Sequence, residues 1–166
     1  MSAIDDFSSA ATAAGASVQR VSRTAATETL KELTEQPAVG VPLEIEDVSL
    51  PDDLETAPDE QTLRAARTGI TASPLGIESL GSVVIPSSDD GTGPISLFPE
   101  RQIAVVERTN IVADVESAFA RLAKRYQTGA NDAVIVTGPS STGDMGALVT
   151  GVHGPAELHI VVIDDE

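Results

Sequence analysis

The opening of the chain constrains the fold most. Ser2 to Ala14 is rich in alanine, with Ile4 and Phe7 at helical spacing and Asp5 and Asp6 in the first turn, where carboxylates complement the helix dipole; Gly15 closes the helix. Ser17-Val18-Gln19-Arg20-Val21 then alternates polar and apolar residues as a half-buried strand does. Thr24 begins a second helix with Leu30 and Leu33 facing inward, and Ala38 to Val41 reads as a second strand. Helix, strand, helix, strand at this rhythm predicts an α/β fold with a mainly parallel sheet flanked by helices. A chain of 166 residues can bury one substantial core of this kind and is short for two, so residues 1–166 read as a single α/β domain.

Residues 42–58 are acidic and punctuated by proline, with Ile45, Val48, Leu50 and Leu54 as scattered apolar anchors, which predicts a surface connection. Asp59 opens a helix containing Leu63 and Ala66 that Gly69 ends. Thr71-Ala72-Ser73-Pro74 reads as the cap and first turn of a short helix through Ser79. Val83 to Ile85 and Ile95 to Leu97 flank the Ser-, Asp- and Gly-rich residues 87–93, a mobile loop, so the two runs read as a hairpin. Gln102 to Glu107 is a further strand. Asn110 or Asp114 then starts the clearest helix, whose Val115, Ala118, Phe119, Leu122 and Tyr126 form a core face.

The last part of the chain concentrates whatever chemistry the protein performs. Ala133 to Val136 is an apolar strand that runs into Thr137-Gly138-Pro139-Ser140-Ser141-Thr142-Gly143-Asp144, a loop of hydroxyls, glycines and one carboxylate. Met145, Leu148 and Val149 return at helical spacing, which predicts a short helix whose free amides would attract an anion. A second compact loop, Gly151-Val152-His153-Gly154-Pro155, precedes the apolar run Leu158 to Ile163. The candidate ligand-binding residues are therefore Thr137, Gly138, Pro139, Ser140, Thr142, Asp144, Gly151, His153 and Gly154. No Gly-Lys-Ser/Thr follows the first loop, and its glycines lack the spacing of a dinucleotide fingerprint. His153, His159 and Asp144 do not have the spacing of a zinc site, so no metal is assigned.

Charge and cysteine count exclude several classes. With 10 basic against 26 acidic residues the net charge is −16, distributed along the chain in small clusters, as on a solvated surface. Few lysines, few aromatics and many small residues give the composition of a halophilic acidic protein. A phosphate-binding face needs clustered Lys and Arg, which are absent, so nucleic acid is not a partner. No apolar run approaches the twenty residues of a membrane span and no secretory leader is evident, so the expected location is cytoplasmic, with no membrane partner. The chain has no cysteine, so it can hold neither a disulfide nor a thiolate-ligated iron–sulfur cluster.

Gly138-Pro139-Ser140, Thr142, Asp144, Leu148-Val149, Gly151-Val152-His153-Gly154-Pro155 and Leu158-His159 closely resemble the C-terminal signature of the LUD domain family, typified by the lactate-utilisation proteins of LutC/YkgG type. Weaker resemblance extends upstream through Gly76-Ile77-Glu78, Gly81-Ser82, Ser96-Leu97-Phe98-Pro99 and Ile103 to Val106. The sequence departs from the pattern at Ser141, where a basic residue is common, at Met145-Gly146, at Leu80-Gly81-Ser82, and at Gln102, where His is frequent.

The resemblance implies a fold of the NagB/RpiA/CoA-transferase-like group, with a ligand crevice beyond the C-terminal ends of the strands, where both loops would meet the segment from Glu78 to Ser82. It also implies a non-redox subunit or ligand-binding component of an iron–sulfur L-lactate oxidation system, with no cofactor of its own and the clusters in partner oxidoreductase subunits. The alternative is a stand-alone enzyme acting on a phosphorylated or CoA-linked small molecule. In that case the first loop would hold the anion, and Glu78 or Asp144 would be the catalytic carboxylate. A third reading has the loops only complete a homodimer.

Overall fold

The computed structural model describes residues 2–129, 132–144 and 146–165, with the backbone alone for Gly143 and Asp144. Its main sheet has five parallel strands in the order β1 (Ser17–Val21), β11 (Glu157–Ile163), β6 (Arg101–Glu107), β3 (Thr68–Ala72) and β2 (Ala38–Gly40). Buried on both faces, the central strands are nearly continuous runs of Val, Ile and Ala, as parallel strands must be. The fold is thus α/β with a mainly parallel sheet, as the sequence predicts.

A smaller sheet lies against it, in the order β7 (Ile111–Val112), β4 (Leu75–Ile77), β5 (Ser82–Pro86) and β8 (Ala133–Val136). Here β5 runs antiparallel to both its neighbours. Between the sheets, helix α1 (Ala3–Ala13) buries Ile4, Phe7 and Ala11 against Val83 and Ile85 on one side and Ala104, Val106 and Ile160 on the other. Ser2 and Asp5 close the start of α1 as a capping box. Phe7 is fully buried, a contribution of about 1.5–3 kcal/mol over the exposed ring.

The opposite face of the parallel sheet is covered by α2 (Arg23–Leu33) and by the connection after β2, whose Leu43 and Val48 are buried and whose Ile45, Leu50 and Leu54 pack against the same core. The scattered anchors of residues 42–58 therefore hold that segment on the sheet. On the outer face of the small sheet, α5 (Val115–Gln127) starts at Asp114, whose carboxylate accepts the Ser117 amide at 2.8 Å. Only Ala118 and Leu122 of its expected core face are buried. Phe119 and Tyr126 are 58% and 42% exposed, because a sheet of four short strands is narrower than the apolar stripe laid on it.

Other local expectations are corrected. The helix capped by Asp59, α3 (Glu60–Ala65), stops before Gly69, which lies inside β3. A Cβ on Gly69 would sit 2.2 Å from the Ile95 carbonyl oxygen, so this glycine lets the next helix approach the strand. Residues 71–77 form the end of β3 and the whole of β4, not a helix. Ile95 to Leu97 belongs to α4 (Thr92–Leu97), so no hairpin joins it to β5. The preceding loop is pinned by Asp90, whose carboxylate accepts from the Thr92 amide at 3.0 Å and from the Thr92 hydroxyl at 2.6 Å.

Candidate functional site

The short helix expected after the first Gly-rich loop is instead a β-hairpin, β9 (Ser141–Asp144) paired with β10 (Ala147–Thr150). Met145, assigned to that helix from the sequence, lies outside the described residues. Gly146, with φ 81° in the turn between the paired Asp144 and Ala147, favours the hairpin, and without a helix there is no dipole to draw an anion. The amides of this loop serve other ends. Ser140 donates its backbone N–H to the Pro155 carbonyl at 2.8 Å and accepts from the Gly151 N–H at 2.9 Å, so the base of the hairpin is clasped to the second loop.

Gly138 is the joint of this clasp. Its φ of 67° and its burial press the loop onto the end of α1, where a Cβ would lie 2.0 Å from the Ala14 carbonyl oxygen. Pro139 packs against Gly15 on the same helix end. Thr137 is tied down by its hydroxyl, 2.6 Å from that of the fully buried Ser82.

Together the loops wall a cavity of about 510 Å³. Thr137, Gly138, Pro139, Ser140, His153, Gly154 and Pro155 form one side, β8 and Ile85 the second, and α4 with Phe98 the third. Its floor is set by register. Gln102 and Leu158 are paired neighbours near the N-terminal ends of β6 and β11, and both line the cavity. Gln102 is 1% exposed, and its amide nitrogen reaches the Thr71 hydroxyl only at 3.4 Å, a long contact that leaves donor capacity for a ligand.

The cavity therefore lies at the N-terminal rather than the C-terminal ends of the parallel strands, a correction that follows from the loops leaving β8, an edge strand of the small mixed sheet, and re-entering at the start of β11. Thr142 and Gly151 do not line the cavity, and the Asp144 side chain lies outside what is described. Glu78 does not line it either; it sits in a turn, Glu78–Leu80, packed against α1. Sequence reasoning missed the contributions of Leu97, Phe98 and Val134. For Gln102 a signal existed, since it stands at a position where the resembled family often has histidine.

Among the described residues no Asp, Glu, Lys or Arg lines this cavity, and His153 is its one ionisable side chain. Among the same residues neither the His153 ring nor the Ser140 hydroxyl has a hydrogen-bond partner, so both are free to meet a ligand, and no hydrogen-bonded nucleophile–base pair is assembled. His159 faces elsewhere, 3.4 Å from the Glu157 carboxylate, which the neighbouring Arg101 guanidinium holds below its usual titration range. Among the described residues no group of three His, Asp or Glu side chains is placed to hold a metal, and no helix is long and apolar enough to cross a membrane.

A second, larger cavity of about 710 Å³ opens at the C-terminal ends of β2, β3 and β6. Glu44, Asp89, Asp90, Glu107 and Asp132 line it, against Arg125 as its one cation among the described residues. Its carboxylates oppose the entry of an anion, and Glu107 is already paired with Arg23 at 2.8 Å. The smaller cavity, mostly apolar with a few convergent polar groups and no Asp, Glu, Lys or Arg among its described lining residues, is the better candidate for a small-molecule site.

Residues 52–163 match the model of the LUD domain. Among similar proteins, the lactate utilization protein C of Macrococcus caseolyticus is 33% identical over 132 residues, covering 76% of this chain and 57% of that protein. The lactate utilization protein C of Bacillus licheniformis is 36% identical over 117 residues, 66% of this chain and 48% of that one. YkgG of Escherichia coli is 30% identical over 104 residues, 60% and 45% of the two chains. The chain spans about half the length of the curated relatives it matches. In fold it is similar to the crystal structure of a DUF162 family protein from Deinococcus radiodurans, with a TM-score of 0.75 over 98% of this chain and 96% of that one at 22% identity.

Proposed function

The chain belongs to the LUD domain family, and on that footing we propose that it serves as a LutC-like, non-redox component of a lactate utilisation system, binding a small hydroxy acid or related metabolite beside iron–sulfur oxidoreductase subunits. The observation that carries this reading is the cavity where the two loops of the family signature meet. Among the described residues its lining carries no Asp or Glu, in a chain of net charge −16, so a carboxylate meets less repulsion there than in the acid-lined cavity. The Ser140 hydroxyl, the Gln102 amide and the His153 ring supply hydrogen bonds, while the buried Leu158 and Ile85 give the cavity an apolar lining. With no cysteine this chain has no thiolate for a cluster, so in this reading the clusters belong to the partner subunits.

The alternative of an enzyme for phosphorylated or CoA-linked substrates is less well supported. A phosphate calls for Arg, Lys or a helix N-terminus; among the described residues no Arg or Lys lines the cavity, and the first turn of the six-residue α4 brings only Gly93 and Pro94 to it, the latter without an N–H. Of its two candidate carboxylates, Glu78 lies outside the cavity and the Asp144 side chain lies outside the described residues. The test is co-purification with the iron–sulfur subunits of a lactate-oxidising system, combined with thermal shift in L-lactate. Retention of those subunits together with an upward shift in melting temperature supports the proposal. Turnover of an acyl-CoA or a sugar phosphate by the isolated chain contradicts it.

A further inference from the structure

Gln102 is the one polar residue in the run from Gln102 to Val106, and strand alternation puts it on the side of β6 that faces α1, with Ala104 and Val106. It is almost fully buried, and an amide in that position costs stability unless its hydrogen bonds are made. Such a group has donors on its nitrogen and lone pairs on its oxygen to satisfy. Among the described residues its one partner is Thr71, whose Oγ1 accepts from Nε2 at 3.4 Å, so Oε1 has none. Nor is that oxygen sealed in the core: among the described residues Ser8 Oγ alone is both sealed and unpartnered. Oε1 therefore opens on the cavity that Gln102 lines. A leucine would fill a similar volume without the unmet bonds, and a ligand accounts for the amide.

We propose that Gln102 selects the oxidation level of the ligand, so that the cavity binds a 2-hydroxy acid and refuses the corresponding 2-keto acid; this rests on the function proposed above. The outer edge of an amide sets an acceptor, Oε1, beside a donor, the Nε2–H, and does so whichever way the group is turned about its last bond. A 2-hydroxy acid carries the complementary pair on adjacent carbons: its hydroxyl donates to Oε1 while a carboxylate oxygen accepts from Nε2. A 2-keto acid presents two acceptors in the same place. Its keto oxygen would face Oε1 with no proton between them, leaving two buried acceptors unsatisfied. A site built to bond a ligand hydroxyl rejects the analogue lacking it more sharply than an apolar pocket discriminates by size. The Thr137 and Ser96 hydroxyls, engaged by Ser82 and by the Gly93 carbonyl, do not compete for the ligand's hydroxyl. A component of this kind would hold the substrate of the oxidation without retaining its product.

Calorimetric titration of the full chain with L-lactate, pyruvate and propionate, which differ at one carbon, tests this. L-lactate should bind about tenfold or more tightly than either of the others. In Gln102→Leu the three affinities should converge, chiefly through weaker binding of L-lactate. Gln102→Met, of similar length and without the amide, should give the same result and serves if the leucine variant fails to fold. The ratio of affinities is the readout that matters, since a merely structural role would lower all three together. Pyruvate bound as tightly as L-lactate by the parent chain, or a preference for L-lactate that survives in the folded variants, overturns the proposal. A parent chain that binds none of the three acids refutes both this selectivity and the ligand-binding function on which it rests, whereas one that binds all three alike refutes the selectivity alone.

Discussion

The backbone N–H of Ser140 donates to the Pro155 carbonyl across 2.8 Å, joining two loops whose sequences are separated by the whole of the β9–β10 hairpin. This bond makes one wall out of two segments and places the Ser140 hydroxyl and His153 on the same cavity. Everything that distorts the Ser140 loop should distort the cavity with it.

Gly138 should therefore be far less replaceable than Gly146. Both have positive φ, 67° and 81°, but a Cβ at Gly138 collides with the Ala14 carbonyl while one at Gly146 meets nothing within 4 Å. Gly138→Ala should cost about 3 kcal/mol or more through strain plus displacement of α1 from the loop. Gly146→Ala should cost about 1–2 kcal/mol, the left-handed backbone penalty alone. Urea unfolding of the two variants provides the comparison.

Asp114 should stabilise α5 in a pH-dependent way. The Ser117 amide, and then its hydroxyl, hold the Asp114 carboxyl below its ordinary value of 3.8. A depressed folded value means that the contribution is complete above 3.8 and is lost as pH falls through the lower folded value. Asp114→Ala should melt several degrees lower than the parent chain at neutral pH, and the gap should close in acid. A gap that is constant down to the acid limit would show that the cap acts without its charge.

Salt should stabilise this protein. At net charge −16, screening near 1 M salt, where the Debye length is about 3 Å, relieves repulsion over the whole surface. It also weakens ion pairs such as Arg20 with Asp5 and Arg67 with Glu100, but exposed pairs contribute only about 0–1 kcal/mol each. The melting temperature should climb between dilute buffer and molar potassium chloride. A flat or falling curve would remove the halophilic reading.

Where a local pattern was long enough, the sequence was readable. Ile103 to Val106 and Leu158 to Ile163 could only be buried strands, and Asp114 announced α5 by its position before an amphipathic run. Leu148-Val149 misled because two apolar residues in a four-residue strand fit a helical or a strand period equally well, and the pairing of Val149 with Thr142 decides the matter. The short α4 failed for the same reason. The site's position was hidden for a different one. That Gln102 stands beside Leu158, beneath two loops far along the chain from it, depends on parallel register, which no local spacing encodes.

Gln102 should act on ligand affinity more than on stability. Its side chain is buried against the cavity and makes one long contact with Thr71, so Gln102→Leu keeps the volume and forfeits little that holds the fold. Loss of a hydrogen bond to a carboxylate should weaken binding about tenfold, or about 1.4 kcal/mol. Calorimetric titration of both proteins with L-lactate measures it, and equal affinities would place the ligand elsewhere.

The most direct measurement is the crystal structure of the protein soaked in L-lactate. Our account predicts an ordered carboxylate between the two loops, within hydrogen-bonding reach of Ser140 and Gln102, and no ligand in the acid-lined cavity at the C-terminal ends of β2, β3 and β6. Lactate bound in that other cavity, or a hollow between the loops filled by the chain's own side chains, would contradict it.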